Sequence, residues 1–264
     1  MEIEYQTILM AGLIHDIGKF LQRSDFKGSL RVTGKHPEAS ANFVKAKAEV
    51  FSKVTDVDLL VELVQRHHET DYFPEHLRVQ HAPEEIRHLA YLVSTADNYS
   101  SSERGEDSHL PQDFKTVPLA SLFARLKLDK DTPTPSRYKL HPLNPSSAFP
   151  EKFTSLDKQQ TNKFITKFGE EFDRITKRID TGNFEVLFSH LLSLLQRFTW
   201  CIPSNTKDEY PDVSLYDHLR TTSAICGCLY QYHKDGNFDQ NSIIDSNTDK
   251  FRLVLGDISG IQKY

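Results

Sequence analysis

The sequence contains few cysteines, no long apolar run and no excess of positive charge. Three cysteines among 264 residues are a small, odd number, which argues against a disulfide framework and favours a reducing compartment. No run of about 18 apolar residues occurs and no charged-then-apolar leader opens the chain, so we expect no membrane partner and predict a cytoplasmic protein. A net charge of −5 argues against a protein that coats long duplexes, so any nucleic-acid contact should be local.

Apolar residues recur at helical spacing along most of the chain and predict an all-α fold. The predicted helices cover residues 5–23, 37–54, 57–70, 83–104, 157–180, 184–200 and 214–232. Seven prolines between residues 105 and 156 predict loops and a linker. The last residues differ, because Phe251–Asp257 has the pattern of a short strand that runs into a turn. A strand cannot satisfy its hydrogen bonds alone, so we expect an α/β domain to follow.

This pattern divides the chain into five parts. They are a helical core at 1–104, an insertion at 105–156, a second helical part at 157–232, a linker at 233–250 and the start of a further domain at 251–264.

The strongest chemical signal is the run His15-Asp16-Ile17-Gly18-Lys19 on an amphipathic helix. At a helix bend, adjacent histidine and aspartate side chains can both face one cavity, where they are ligands for divalent transition metals. The Asp16 carboxylate can also bridge two ions, and Lys19, nearly one turn on, can reach a phosphate oxygen. The alternative is a solvated pair with an exposed lysine.

Two further histidine motifs follow. His36 comes just before a helix that starts with proline, so it can project into a groove, or merely cap the helix. His67 and His68 are adjacent, and Asp71 and Pro74 suggest that their helix ends there, which frees both rings to turn inward. Otherwise one of the pair is buried and the other exposed.

Asp97 and His218 complete the candidate set. Asp97 follows an apolar helical stretch, where a carboxylate is costly without a cation. A metal ion would satisfy it, and a buried ion pair with Arg104 is the alternative. His218 lies in the first turn of the helix that Ser214 is expected to cap, and it points either to the same cavity or to solvent.

Five basic residues recur at every fourth position after the His-Asp pair. They are Lys19, Arg23, Lys27, Arg31 and Lys35. With Phe20 and Phe26 among them, they predict a basic track that binds the backbone and bases of a single strand. A solvated helix face followed by a basic loop is the alternative.

The ordered set of HDxxK at His15, HPxxS at His36, HHE at His67 and a later Ala96-Asp97 resembles the HD phosphohydrolase superfamily. Most of that superfamily has a histidine on a helix before the HD motif, which is missing here. The resemblance implies that His218 replaces it, in a circularly permuted HD-domain helical bundle.

The stretch Gly256-Asp257-Ile258-Ser259-Gly260-Ile261-Gln262 after such a domain resembles the large subunit of type III-A CRISPR effector complexes, as do Ser101–Arg104, Trp200–Ser204 and Leu215–His218. The stretch opens that family's cyclase-like palm domain. The resemblance implies a single-stranded DNA nuclease that works with the other subunits, guide RNA and target RNA. It also implies cyclic oligoadenylate synthesis from ATP by palm domains beyond this sequence.

From these residues we predict one or two divalent ions, with Asp16 as the bridge. His15, Asp97 and His218 would complete one ligand shell, and His36, His67 and His68 the other. The ligand types favour manganese, nickel, cobalt or iron over magnesium. Catalysis would rest on His15, Asp16 and Lys19, the lysine stabilising charge on the phosphate. The rivals are an HD phosphodiesterase for a cyclic or small nucleotide and a catalytically dormant docking module.

Overall fold

Helices make up the regular structure of the protein in this computed structural model, which describes residues 2–24, 34–101, 113–125, 136–147, 149–208 and 210–256. The α-helices are α1 Ile3–Ile14, α2 Ile17–Leu21, α3 His36–Ala46, α4 Ala48–Phe51, α5 Val57–Gln65, α6 Arg87–Ser100, α7 Lys158–Thr176, α8 Phe184–Thr199, α9 Leu215–His233 and α10 Gln240–Ile244. Short 3-10 helices span Glu75–Leu77, Val79–His81, Glu84–Ile86 and Leu122–Arg125. Within the described ranges, β-pairing is limited to isolated bridges, so the predicted all-α fold is confirmed.

Helix α1 lies at the centre of the bundle. It packs against α5, α6 and α9, which surround it, and its residues from Ile8 to Ile14 include a nearly continuous buried run. A helix that is apolar on most faces is stable only when neighbours cover those faces. The first helix therefore forms the axis around which the other elements, and the candidate ligands they carry, are arranged.

Several helices end earlier than predicted, and two of these ends matter for the site. The predicted helix 5–23 divides at His15–Asp16, where Asp16 has φ −107° and ψ 11° between α1 and α2. Helix α5 ends at Gln65, ahead of the predicted residue 70, because Arg66 leaves the helical region at φ −122° and ψ 55°. The bend predicted at the His-Asp pair and the helix end predicted near His67 are thus both present.

The C-terminal part contains more structure than predicted. Residues 233–250 are not a simple linker, because α10 forms within them and packs against α6 through the fully buried Ile243. The Lys250 ammonium donates to the carbonyl oxygens of Ile243, at 2.8 Å, and Asp245. The predicted strand is not confirmed, since residues 251–256 have no regular secondary structure and residues 257–264 lie outside the described ranges.

Across the described helices, none combines the length and apolar character needed to cross a membrane.

Candidate metal centre

Seven buried or half-buried side chains converge in two groups that share Asp16. The enclosed group consists of His15, Asp16, Asp97 and His218, all buried. The open group consists of Asp16, His36, His67 and His68, of which two are half-buried. In each group the four candidate ligand atoms lie within 4.8 Å of one another. All seven residues predicted as ligands are therefore brought together, in the two predicted sets.

The two oxygens of Asp16 face different groups. Oδ1 lies 3.1 Å from Nε2 of His36 and 3.6 Å from Nε2 of His67. Oδ2 lies 3.5 Å from Nε2 of His15 and 3.3 Å from Nε2 of His218. A carboxylate that presents one oxygen to each of two ligand clusters has the arrangement that a bridge between two ions requires.

The two imidazoles of the enclosed group are each oriented by a hydrogen bond at Nδ1, the ring nitrogen that faces away from the carboxylates. His15 Nδ1 lies 2.9 Å from the Gly12 carbonyl oxygen and donates to it. The Ser100 hydroxyl donates to the His218 carbonyl oxygen at 3.2 Å, so it accepts from Nδ1 of the same histidine at 3.0 Å. Because Nδ1 of each ring is engaged in this way, Nε2 is the ring atom left to face Asp97, whose Oδ1 is 3.5 Å from Nε2 of His15 and 3.1 Å from Nε2 of His218.

The open group is less completely fixed. His67 Nδ1 donates to the Val64 carbonyl oxygen at 2.9 Å, which again directs Nε2 inward. The Nε2 atoms of His36 and His68 are 2.8 Å apart, and two such nitrogens share either a proton or a common cation. The His68 ring stacks on Phe73, with ring centroids 4.1 Å apart. The His36 side chain is 16% exposed, so this side of the centre reaches solvent.

Both carboxylates remain anionic despite their burial. Burial alone would raise the pKa of Asp16, but Lys19 and the neighbouring histidines hold that pKa well below its usual range. Burial also opposes the charge on Asp97, whose pKa is kept well below its usual range by hydrogen bonds from His15 and His218. Lys19, which pairs with Oδ2 of Asp16, has a side chain that is 21% exposed. Two negative charges are therefore concentrated in an enclosed space.

Most of the imidazoles are neutral in this environment. Burial lowers the pKa of His15, lowers that of His36 to about 4 and lowers that of His68 strongly. His218 differs, because its close contacts with the Asp16 and Asp97 carboxylates outweigh its burial and raise its pKa. Neutral imidazoles beside anionic carboxylates are the protonation states in which these groups bind metals.

The donor set fits divalent metal ions. Both oxygens of Asp16 and Nε2 of His67 are buried and, ion pairs aside, have no hydrogen-bond partner. Buried polar atoms of this kind are costly unless something satisfies them. Imidazole and carboxylate donors together suit divalent metal ions, so the residues present fit such ions.

Two glycines allow the helices to approach closely enough to assemble the centre. A Cβ on Gly12 would lie 2.7 Å from Cα of Ser223, so glycine lets α1 and α9 pack closely beside His15 and His218. A Cβ on Gly18 would lie 2.0 Å from the His36 carbonyl oxygen, so only glycine allows α2 to pack this closely against the start of α3. The Gly18 amide donates to the Ser40 hydroxyl at 2.9 Å, which joins the two sequence motifs.

Two supporting residues were not predicted. Ser100 orients His218 as described above. Glu69 accepts hydrogen bonds from Ser94 at 2.8 Å and Asn98 at 3.1 Å, which ties the segment after His68 to the helix that carries Asp97. Glu69 directly follows His68 in the His-His-Glu motif, and this position next to two ligands could have indicated a supporting role. Nothing in the local sequence marks Ser100.

The predicted basic track is wrong at Arg23. This residue is 3% exposed, and its guanidinium donates to the Val117 carbonyl oxygen at 2.8 Å. Arg23 is therefore not presented to a nucleic-acid strand in solvent. Burial lowers the pKa of Arg23 to about 10. Lys27 and Arg31 lie outside the described residues, as does Arg104, the alternative partner of Asp97. Lys19 and Lys35 lie next to the centre, and their role in nucleic-acid binding stays a prediction.

Comparison with known proteins identifies the family to which the chain belongs. The HD-domain family matches residues 2–102, and His218 on α9 lies beyond that range. The CRISPR system single-strand-specific deoxyribonuclease Cas10/Csm1 (subtype III-A) of Methanocaldococcus jannaschii is 31% identical over 299 residues, which cover 99% of this chain and 34% of that protein. The protein of the same name from Thermococcus onnurineus is 27% identical over 289 residues, covering 100% of this chain and 32% of the relative.

Solved structures show the same fold. The crystal structure of Csm1 in T. onnurineus has a TM-score of 0.56 at 24% identity and covers 88% of this chain and 29% of that one. The Csm1–Csm4 cassette in complex with cA4 has a TM-score of 0.55 at 24% identity, with 88% of this chain and 28% of that chain covered.

The chain therefore contains an HD domain, matched over residues 2–102, and this range contains all but one of the residues of the His-Asp centre. Over nearly its whole length the chain is homologous to the Cas10/Csm1 large subunits of subtype III-A. It spans about a third of the length of the curated relatives it matches.

Proposed function

We propose that the centre hydrolyses phosphodiester bonds in single-stranded DNA with one or two divalent transition-metal ions. The observation that carries this proposal is the division of the Asp16 carboxylate, one oxygen toward each ligand group. The relatives from M. jannaschii and T. onnurineus are named single-strand-specific deoxyribonucleases, which supports the choice of substrate.

The residues have separate tasks in this proposal. Asp16 is shared by the two ligand groups. The first ligand shell is completed by His15, Asp97 and His218, and the second by His36, His67 and His68. Ions held there would polarise the phosphodiester and lower the pKa of a water that attacks phosphorus. Lys19 lies at the exposed edge of the carboxylate and would stabilise negative charge on the phosphate oxygens. The donor types favour manganese, nickel, cobalt or iron.

We further propose that the chain works inside an RNA-guided type III-A complex with other subunits, guide RNA and target RNA. Solved structures of similar chains in Csm1–Csm4 cassettes support a partner subunit. The whole protein would also make cyclic oligoadenylates from ATP through segments beyond this sequence. A hydrolase for cyclic or small nucleotides shares the same metal chemistry and is the principal rival.

The test is a nuclease assay on the purified, metal-free chain. Single-stranded DNA, duplex DNA, single-stranded RNA and a cyclic dinucleotide would each be incubated with manganese, nickel or magnesium, with an Asp16→Asn control of nearly unchanged size. We expect manganese- or nickel-dependent cutting of single-stranded DNA that the control lacks. Preferential hydrolysis of the cyclic dinucleotide would favour the rival. Full cleavage by Asp16→Asn would contradict the proposal.

A further inference from the structure

An exposed tyrosine stands between two lysines close to the open group. The Tyr72 side chain is 69% exposed. Lys35 Nζ lies 4.2 Å from the centroid of its ring and Lys207 Nζ lies 5.9 Å from it. The three residues come from separate segments: the loop after α5, the residue that caps α3 and the loop between α8 and α9. The fold thus gathers one aromatic ring and two cations at one point on the surface.

The loop that carries Tyr72 is braced from below. Arg78 donates to the Phe73 carbonyl oxygen at 2.6 Å and to the Asp71 carboxylate at 2.7 Å, on either side of the tyrosine. The Phe73 amide donates to the Thr70 carbonyl oxygen at 3.2 Å, which closes the turn. A fixed backbone on both sides keeps the ring presented to solvent and lowers the entropy lost when a ligand binds to it.

A short run of aromatic contacts leads from Tyr72 to the metal ligands. The Tyr72 and Phe73 rings meet edge to face, with centroids 5.2 Å apart. Phe73 stacks on His68 and lies edge to face against His36 at 5.4 Å. Lys35 directly precedes His36 in the chain. The exposed ring therefore lies one residue beyond Phe73, whose ring contacts two histidines of the open group.

We propose that Tyr72, Lys35 and Lys207 form a single-strand binding platform that guides DNA to the open group, with one base stacked on Tyr72 and the two ammonium groups on neighbouring phosphates. Base stacking on an aromatic ring is stronger than an exposed cation–π contact, so a base replaces the ammonium contacts on the ring, and the two ammonium groups lie within reach of the phosphates beside that base. Bases in a duplex are already stacked, so the platform selects single strands. This inference rests on the proposed function for the identity of the substrate.

The test measures binding of a labelled single-stranded oligonucleotide by fluorescence anisotropy, with a chelator present so that no strand is cut. Tyr72→Ala should weaken binding roughly tenfold, and Tyr72→Trp should restore it, because a larger ring stacks at least as well. Duplex binding should be unchanged by both. Tyr232→Ala is the matched control, since Tyr232 is 48% exposed and lies on α9 about 20 Å from His218.

The lysines are tested through the salt dependence. Removing two phosphate contacts from a single strand should reduce the slope of log affinity against log salt by about 1.4 in the double variant Lys35→Ala/Lys207→Ala. The control with the same net charge is Lys163→Ala/Lys177→Ala, which removes two exposed lysines from α7 and its C-terminal end and should leave the slope unchanged. An equal fall in both double variants would overturn the platform, because it would reflect net charge alone.

The outcomes separate this inference from the proposed function. If Tyr72→Ala binds and cleaves single strands as well as the wild type does, the platform is overturned and the nuclease stands. The same conclusion holds if Tyr72→Ala loses binding affinity that Tyr72→Trp does not restore. A wild-type chain that binds single strands through Tyr72 but cuts none of them with any metal would support the platform and overturn the nuclease.

Discussion

The enclosed and open groups share Asp16 but differ in how firmly their imidazoles are held. In the enclosed group His15 and His218 are 0% and 2% exposed, and each has its Nδ1 engaged by a neighbouring oxygen. In the open group His67 has such a bond, whereas His68 is held by stacking on Phe73 and His36 is partly exposed. One half of the centre is preorganised, and the other is placed where a substrate can reach it.

This difference predicts unequal metal affinities. Ligands that are already oriented and desolvated lose less entropy when an ion binds, so the enclosed group should bind the tighter ion. The open group, which borders the exposed Tyr72 and Lys35, should bind the weaker ion and contact the phosphate.

Replacement of the shared ligand should affect both groups. Asp16→Asn should lower metal-dependent cleavage about 10³-fold, because metal-centred charge stabilisation of several kcal/mol is lost. Manganese at roughly 100 times its Kd should raise the wild-type Tm by about 5–10 °C, and it should leave the variant unchanged. Thermal unfolding with and without chelator measures the shift. A variant that manganese stabilises as much as the wild type would contradict the sharing of Asp16.

Removal of one ligand from each group should separate the two affinities. His218→Ala should weaken the tighter ion by about 100-fold or more, since loss of a direct ligand should exceed loss of a supporting bond. His68→Ala should weaken the looser ion and leave the tighter one in place. Isothermal titration of the two variants with manganese makes the comparison. Loss of the same ion in both variants would show that the groups do not act as separate sites.

The smallest predicted effect concerns the support of the enclosed group. Ser100→Ala removes the hydroxyl behind His218 and should weaken the tighter ion about tenfold, the lower end of the range for such partners. Ser193→Ala on α8, an exposed serine that bonds its own helix, is the control. Equal metal affinities in the two variants would remove Ser100 from the account.

The ligands could be predicted because each comes from a local pattern with a physical cause. The His-Asp pair falls at a helix break, the paired histidines follow a helix end, and the buried Asp97 lies on an apolar helix face where its charge needs a partner. Their meeting point could not be derived from spacing alone. It depends on the close approach of α1 and α9 at Gly12, and the late ligand His218 was anticipated through a family resemblance.

The missed features depend on tertiary contacts. Spacing at every fourth residue placed Arg23 on a basic face, but the distant segment around Val117 covers it and accepts its hydrogen bond. Polar composition predicted a linker at 233–250, although Ile243 is enough to anchor α10 on α6. The exposure of Tyr72 beside two lysines likewise arises from three separate segments.

Electron paramagnetic resonance of the protein during titration with manganese tests the central claim most directly. Two manganese ions bridged by one carboxylate are magnetically coupled, so the account predicts an uncoupled signal at the first equivalent and a coupled signal at the second. The coupled signal should be absent in Asp16→Asn. A wild-type protein that takes up two ions without coupling, or saturates at one, would contradict a centre organised around Asp16.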